Sequence, residues 1–334
     1  MKNRFRSFAQ AVAHATYRTH LYLKLGPWKT KRVAARLLKF FLAPLGILKL
    51  WSIWSKRNQL RRQPLSLGIV LIAKNEAPYL PEWIKYHQLL GVQRFYIYDN
   101  ESTDNLTEVL APFVKTGLVK LRPVKGKKRQ NDVYNDALNR YRDEVQFMAF
   151  IDADEFIFAH RVDLITELAK LMPEKADKSA VGLNWAIFGS NHLTEKPNGL
   201  VIKNYTARAT RDFAHNYHIK SIVDPRRVIS FYHNPHVALL LPGYYLVAPN
   251  GEVLQQYKPI QPQVIWEPIR LNHYFSKSRD EFMAKRARGM ATHDNRVLRS
   301  MADFELHDRN EEVDTGMLPY CEKVEKALDN EQTK

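Results

Sequence analysis

Three acids, Asp152, Asp154 and Glu155, end an otherwise apolar run, FMAFIDADEFIF, over residues 147–158. A run that apolar between polar segments suits a strand buried on both faces of a parallel sheet. The carboxyl ends of such strands open into the ligand crevice of an open α/β sheet. If the strand extends through the acids, its two-residue period puts Asp152 and Asp154 on one face. Neighbouring carboxylates repel unless something positive lies between them, and a hard divalent cation carrying phosphate oxygens does so. The chemistry indicated is a site where Mn²⁺ or Mg²⁺ neutralises charge on a departing diphosphate. The alternative, a polar strand end that faces water or caps a turn, stays open on these residues alone.

The elements that must position the acids follow an alternating pattern. A buried strand is expected over 65–73 and a helix over 78–90, with Leu80, Trp83, Ile84, His87 and Leu90 on one face and Gly91 as its stop. His87 reads as a packing residue. A second strand, 94–98, ends in Asp99-Asn100, and Ser102 or Asp104 can cap a helix whose face is Leu106, Val109, Leu110, Phe113 and Val114. A short strand over 118–122, a basic loop over 126–130 and a helix bearing Val133, Tyr134, Ala137, Leu138 and Tyr141 lead into the acid-tipped strand. This alternation argues for βαβ units and a parallel sheet. Three strand ends then carry polar residues to one crevice: Lys74-Asn75-Glu76, Asp99-Asn100 and the Asp152–Asp154 pair. Glu76 and Asp99 can accept hydrogen bonds from ribose hydroxyls or a base edge. Beyond a helix at 163–172 and a strand at 181–188, the pattern to about residue 266 is mixed. A segment at 270–278 leads into a basic helix at 279–289, and the charged tail beyond about 308 is expected to be partly disordered.

The net charge of +16 is informative once located. No Asp or Glu precedes Glu76, whereas residues 1–75 hold 16 Lys and Arg; the remainder is balanced at 35 of each sign. Residues 40–54, FFLAPLGILKLWSIW, are fewer than the roughly 20 apolar residues a spanning helix needs, and Pro44, Gly46 and Lys49 interrupt them. Trp, Phe and Leu among Lys and Arg suit a segment lying in an anionic membrane interface. Packing on the body and a nucleic-acid-binding arm are the alternatives, but nothing downstream resembles a nucleic-acid-reading module, so nucleic acid is not an expected partner. A single cysteine, Cys321, precludes an intrachain disulfide framework, and no C-x-x-C or H-E-x-x-H pattern supports a zinc site.

The run KNEAPYLPEWIKYHQLLGVQRFYIYDNESTD at 74–104 resembles the opening of glycosyltransferase family 92 and related family 2-like bacterial transferases. FIDADEF at 150–156, NWAIFGS at 184–190, Lys220-Ser221-Ile222 and LNHYFSKS at 271–278 look like later motifs of the same group. The resemblance covers roughly 65–289. It implies an α/β, GT-A-like, Rossmann-related sheet flanked by helices, here with a basic N-terminal helical extension. It also implies a nucleotide-sugar donor, with UDP-galactose foremost, and inversion at the anomeric carbon. The expected division is an extension over 1–62, a transferase domain over 63–308 with its nucleotide-sugar half ending at 160, and a charged tail over 309–334. By this resemblance Asn75, Glu76 and Asp99 belong to the donor contact, and Asp152 and Asp154 to the metal and diphosphate. His273 is the expected further metal ligand, since neutral imidazole accepts Mn²⁺. Lys277, Arg286 and Arg288 are candidates to neutralise the diphosphate. Glu195, Asp212, Glu267, His192 and His236 are candidates for the base that inversion requires, and no local pattern chooses among them. The expected acceptor is a glycan, lipid-linked or a lipopolysaccharide core. The expected location is cytoplasmic, on the inner face of a bacterial cytoplasmic membrane. Rival readings are a haloacid-dehalogenase-like phosphatase and a non-enzymatic nucleotide-binding membrane adaptor.

Overall fold

The structure is a computed structural model that describes residues 32–57, 65–232, 234–287 and 299–332, with side chains from Pro44 onward. Its strands are β1 (Leu65–Ala73), β2 (Val92–Asp99), β3 (Val119–Pro123), β4 (Val145–Phe150), β5 (Glu155–Ala159) and β6 (Lys178–Ile187). They continue as β7 (Ala207–Arg208), β8 (Ile219–Val223), β9 (Val228–Ser230), β10 (Leu239–Leu240), β11 (Tyr245–Val247), β12 (Ile269–His273) and β13 (Glu312–Val313). The helices are α1 (Arg32–Lys56), α2 (Leu80–Leu89), α3 (Leu106–Lys115), α4 (Gln130–Tyr141), α5 (Leu164–Leu171), α6 (Val201–Asn204), α7 (Arg279–Ala287), α8 (Met301–His307) and α9 (Leu318–Gln332).

Among the described residues the main sheet runs in the order β3-β2-β1-β4-β8-β6-β12-β5, with β11 beside β6. The first four strands are parallel, and β8 lies antiparallel between β4 and β6. This is the expected GT-A-like, helix-flanked α/β sheet. The central strands β1 and β4 are mostly apolar because both their faces are covered. Leu67, Ile69 and Leu71 pack on one side with Phe147, Ala149 and Ile151, against Trp83 and Ile84 of α2. Val70 and Ile72 pack on the other with Met148 and Phe150, against Val133, Tyr134 and Leu138 of α4.

Helix α2 also finishes the far end of the sheet. The indole of Trp83 donates to the Glu155 carbonyl at 2.8 Å, and the Tyr86 hydroxyl donates to the Ile157 carbonyl at 2.6 Å. The His87 Nε2 accepts from the Ile157 amide at 3.2 Å, while Nδ1 donates to the Trp83 carbonyl at 2.8 Å. Burial pushes His87 down to about 3, which keeps the ring neutral and able to accept. The packing role expected for His87 is therefore also a hydrogen-bonding one.

Three expectations need correction. The acid-tipped run is not one strand: β4 stops at Phe150, and a turn separates it from β5. The helix after β2 starts at Leu106 behind Asn105, not directly behind Ser102 or Asp104; Asp104 still reaches its first turn, its Oδ1 accepting the Leu106 amide at 3.3 Å and its Oδ2 the Ala77 amide at 2.9 Å. The C-terminal tail is ordered through residue 332. Met317, Cys321 and Val324 recur at helical spacing, and all three are buried in the core beside α2. The charges between them belong to the exposed face. At the other end, α1 carries the 40–54 run as a helix, and Leu50 and Ile53 pack against Ile229 and Leu241. That much of it is an extension packed on the body.

Candidate active site

Asp152 lies two residues past Phe150, so it keeps the side of Met148 and Phe150 and meets α4. Its Oδ1 accepts from Gln130 Nε2 at 2.9 Å, and its Oδ2 accepts from Lys220 Nζ at 2.8 Å. Lys220 comes from β8, whose antiparallel pairing with β4 sets Ala149 opposite Ile222. Only 1% of the Lys220 side chain is exposed, and Glu155 Oε2 stands 3.6 Å from its Nζ. Burial works against the ammonium, but Asp152 and Glu155 hold its pKa well above the ordinary lysine value. The same Glu155 oxygen accepts the Asp152 amide at 2.8 Å and so fixes the turn.

Asp154 sits at the other end of that turn, where the Tyr274 amide donates to its carbonyl at 2.9 Å. Antiparallel pairing of β12 with β5 sets His273 opposite Glu155, which brings the imidazole beside Asp154. Nε2 of His273 is 3.6 Å from Asp154 Oδ2, and Lys285 Nζ of α7 donates to that oxygen and to the Phe275 carbonyl at 2.8 Å. Burial alone would raise Asp154, yet Lys285 and His273 hold it well below the usual carboxylate range. Burial pushes Lys285 down to about 8 against the pull of Asp154, and it also lowers His273, which favours a neutral imidazole.

Both acids open into a cavity of about 310 Å³ that Glu76, Trp185, His236 and His273 also line. Lys74, Lys127, Lys220, Lys285 and Arg299 contribute positive charge to the same walls. Asn75 and Asp99, expected at the donor, are not among the lining residues. Asn75 accepts from the Thr103 amide at 2.7 Å, and Asp99 accepts from the Ser102 amide at 3.0 Å. The first bond pins the loop after β1 to the loop after β2 and the second holds the turn after β2, and together they shape the wall that Glu76 and Asn100 line. Lys277 lies under Tyr79, its Nζ 3.9 Å from the ring centroid, and neither it nor Arg286 lines the cavity. Arg288 lies outside the described residues.

The fit to a divalent cation can be judged on these groups. Among the described residues no three His, Cys, Asp or Glu side chains converge on one point. Asp154 and His273 make a pair at 3.6 Å, the order of spacing that two ligands of one small cation adopt. Mg²⁺ commonly takes one or two carboxylates and completes its shell with phosphate oxygens and water, so the pair fits a cation that arrives with a diphosphate. Both Asp152 oxygens are already engaged, which makes Asp152 the weaker ligand of the three expected.

Sequence reasoning overlooked Lys285 and Trp185 and gave Lys220 no role. A lysine inside the uniformly buried strand β8 was itself a signal, because burying an ammonium without a partner is costly. Lys285 falls three residues after the fully buried Phe282, on the same helix face.

The model of glycosyltransferase family 92 matches residues 71–302. A family 92 protein of Ricinus communis is 30% identical over 263 residues, which cover 75% of this chain and 42% of that protein. A family 92 protein of Arabidopsis thaliana is 29% identical over 217 residues, 60% of this chain and 36% of that one. A galactan beta-1,4-galactosyltransferase of Arabidopsis thaliana is 34% identical over 87 residues, 23% of this chain and 17% of that protein. The chain thus spans less than half the length of these curated relatives. Among solved structures, S. aureus TarS 1-349 superposes with a TM-score of 0.30 at 15% identity over 48% of this chain and 47% of that one. The curated relatives are plant proteins, so the expected location on the inner face of a bacterial cytoplasmic membrane is not supported. No helix among the described residues is long and apolar enough to cross a membrane.

Proposed function

The chain belongs to glycosyltransferase family 92, and we propose that it moves a hexose, galactose foremost, from a UDP-sugar to a glycan acceptor with inversion. The observation that carries this reading is the meeting of Asp152 and Asp154 with five Lys and Arg side chains in one cavity at the end of β4. Similarity to a galactan beta-1,4-galactosyltransferase supports galactose over other hexoses. With the bacterial setting withdrawn, the proposal does not extend to a lipopolysaccharide core. A phosphatase or a nucleotide-binding adaptor accounts for none of the family match.

When bound, Mn²⁺ or Mg²⁺ would neutralise charge on the departing diphosphate. Asp154 and His273 would be the residues that hold it, and Lys285 keeps Asp154 ionised. Gln130 and Lys220 hold the Asp152 carboxylate toward the donor, while Lys74, Lys127 and Arg299 set a positive wall for the phosphates. Incubating the full chain with UDP-galactose, Mn²⁺ and a β-1,4-linked galactose oligosaccharide should release UDP and lengthen the oligosaccharide, and EDTA should suppress both. No UDP release across a panel of UDP-hexoses would sink the reading.

An anionic lipid surface is the proposed docking partner of α1. Leu45, Leu48 and Trp51 stand exposed at three-residue intervals opposite the packed Leu50 and Ile53, with Trp51 67% exposed. The charged residues of the preceding segment are all Lys or Arg, and each of these near such a surface contributes about 1 kcal/mol. The full chain should float with phosphatidylserine vesicles at low salt and lose them as salt rises. A Leu48→Ser, Trp51→Ser double variant that floats as well as the parent would remove α1 from the contact.

A further inference from the structure

Inverting transfer needs a group that takes the acceptor hydroxyl's proton, and we infer that His236 is that group. The assignment rests on the glycosyl-transfer reading above. Of the five acceptor-half candidates, His236 is the one among the cavity-lining residues. Glu267 is exposed and paired with Arg211 at 2.6 Å. Asp212 accepts the Thr210 hydroxyl at 2.7 Å. His192 and Glu195 do not line the cavity.

The local geometry prepares His236 for proton transfer. Its Nδ1 is 2.9 Å from the Ile219 carbonyl, which can only accept, so Nδ1 carries the hydrogen and Nε2 keeps its lone pair. The backbone around it is held from two sides. Ser221 Oγ donates to the His236 carbonyl at 2.7 Å, and the His236 and Val237 amides both donate to Asn234 Oδ1 at 2.9 Å. Strand β8 therefore serves the cavity twice: Lys220 engages Asp152, while Ile219 and Ser221 hold His236.

The indole of Trp185 sets the spacing. Its ring centroid is 4.5 Å from that of His273 and 5.4 Å from that of His236. The two imidazoles thus pack on one aromatic ring, one on the diphosphate side and one on the acceptor side. Trp185 Nε1 is buried and has no hydrogen-bond partner among the described residues. Burial and the neighbouring Lys220 lower His236 to about 3, with Asp152 opposing and His218 adding to the shift, so the ring is held as the free base. A bound diphosphate would offset Lys220 and strengthen the base.

In the step itself, the acceptor oxygen forms its bond to the anomeric carbon as its proton passes to His236 Nε2. The bond from that carbon to the phosphate oxygen breaks, and its electron pair leaves with UDP. The test compares His236→Gln and His236→Ala with the parent, using UDP-galactose, Mn²⁺ and the galactose oligosaccharide. His236→Gln should lower kcat by roughly 10²-fold or more, with UDP affinity by calorimetry within about twofold of the parent. Added imidazole should restore part of the His236→Ala rate. A kcat within about threefold of the parent, a loss matched by lost UDP affinity, or no imidazole rescue would overturn the assignment while leaving glycosyl transfer standing. A parent chain that releases no UDP overturns both.

Discussion

Asp154→Asn is expected to lower kcat for sugar transfer by roughly 10³-fold, equivalent to about 4 kcal/mol of transition-state stabilisation. The carboxylate is 7% exposed and lies against His273 and Lys285, so its charge acts with little solvent screening. Asparagine keeps the shape and one acceptor oxygen for Lys285 but loses the charge that would bind a cation. Binding of the cation should weaken along with kcat, so a Mn²⁺ titration of UDP release should move to higher metal without reaching the parent rate. Thermal melting should change far less than activity, because Lys285 retains the Phe275 carbonyl as an acceptor. A folded variant with parent-like, metal-dependent transfer would take Asp154 out of the chemistry.

Lys220→Met should cost about 3–5 kcal/mol of folding stability, the usual penalty for stranding buried charge by removing its partner. The ammonium is buried between Asp152 and Glu155, at 2.8 and 3.6 Å. Its folded pKa lies above the unfolded one, so its contribution is full below the ordinary lysine pKa and lost only at strongly basic pH. The variant reverses the dependence on neighbouring acids. Glu155, pushed by burial up to about 8, rises further without Lys220, so it is protonated in the folded variant at neutral pH and the deficit against the parent should widen as the pH is raised above about 8. Urea unfolding at neutral and mildly alkaline pH measures both effects. A stability at neutral pH within about 1 kcal/mol of the parent, or a deficit that does not widen in alkali, would show that the pair is dispensable.

The sequence by itself determined the elements of the N-terminal half of the sheet. The apolar run that begins at Leu65 matches β1 residue for residue, and the stripe from Leu80 to Leu90 belongs to α2. These features are local: side-chain period and apolar run length assign the element and the faces it must bury. The same logic put acids at the mouth of the sheet, and two of the family motifs, at 74–104 and 150–156, lie along that half. It failed on the tail, where abundant charge obscured a Met317–Cys321–Val324 stripe that needed only one buried face. It could not foresee that Asn75 and Asp99 accept the amides of Thr103 and Ser102, because a polar residue at a strand end looks the same whether it meets a ligand or a neighbouring loop.

Only the tertiary structure decided which cation meets which acid. Lys220 reaches Asp152 across 68 positions, and Lys285 reaches Asp154 across 131. Each meeting depends on packing between distant elements: β8 entering antiparallel beside β4, and α7 turning back onto the β12 end. The choice of His236 among five acids and imidazoles depends likewise on hydrogen bonds from β8. Spacing along one strand or helix fixes a side chain's face, but its partner across the fold follows from strand register and helix docking, which many distant contacts set together.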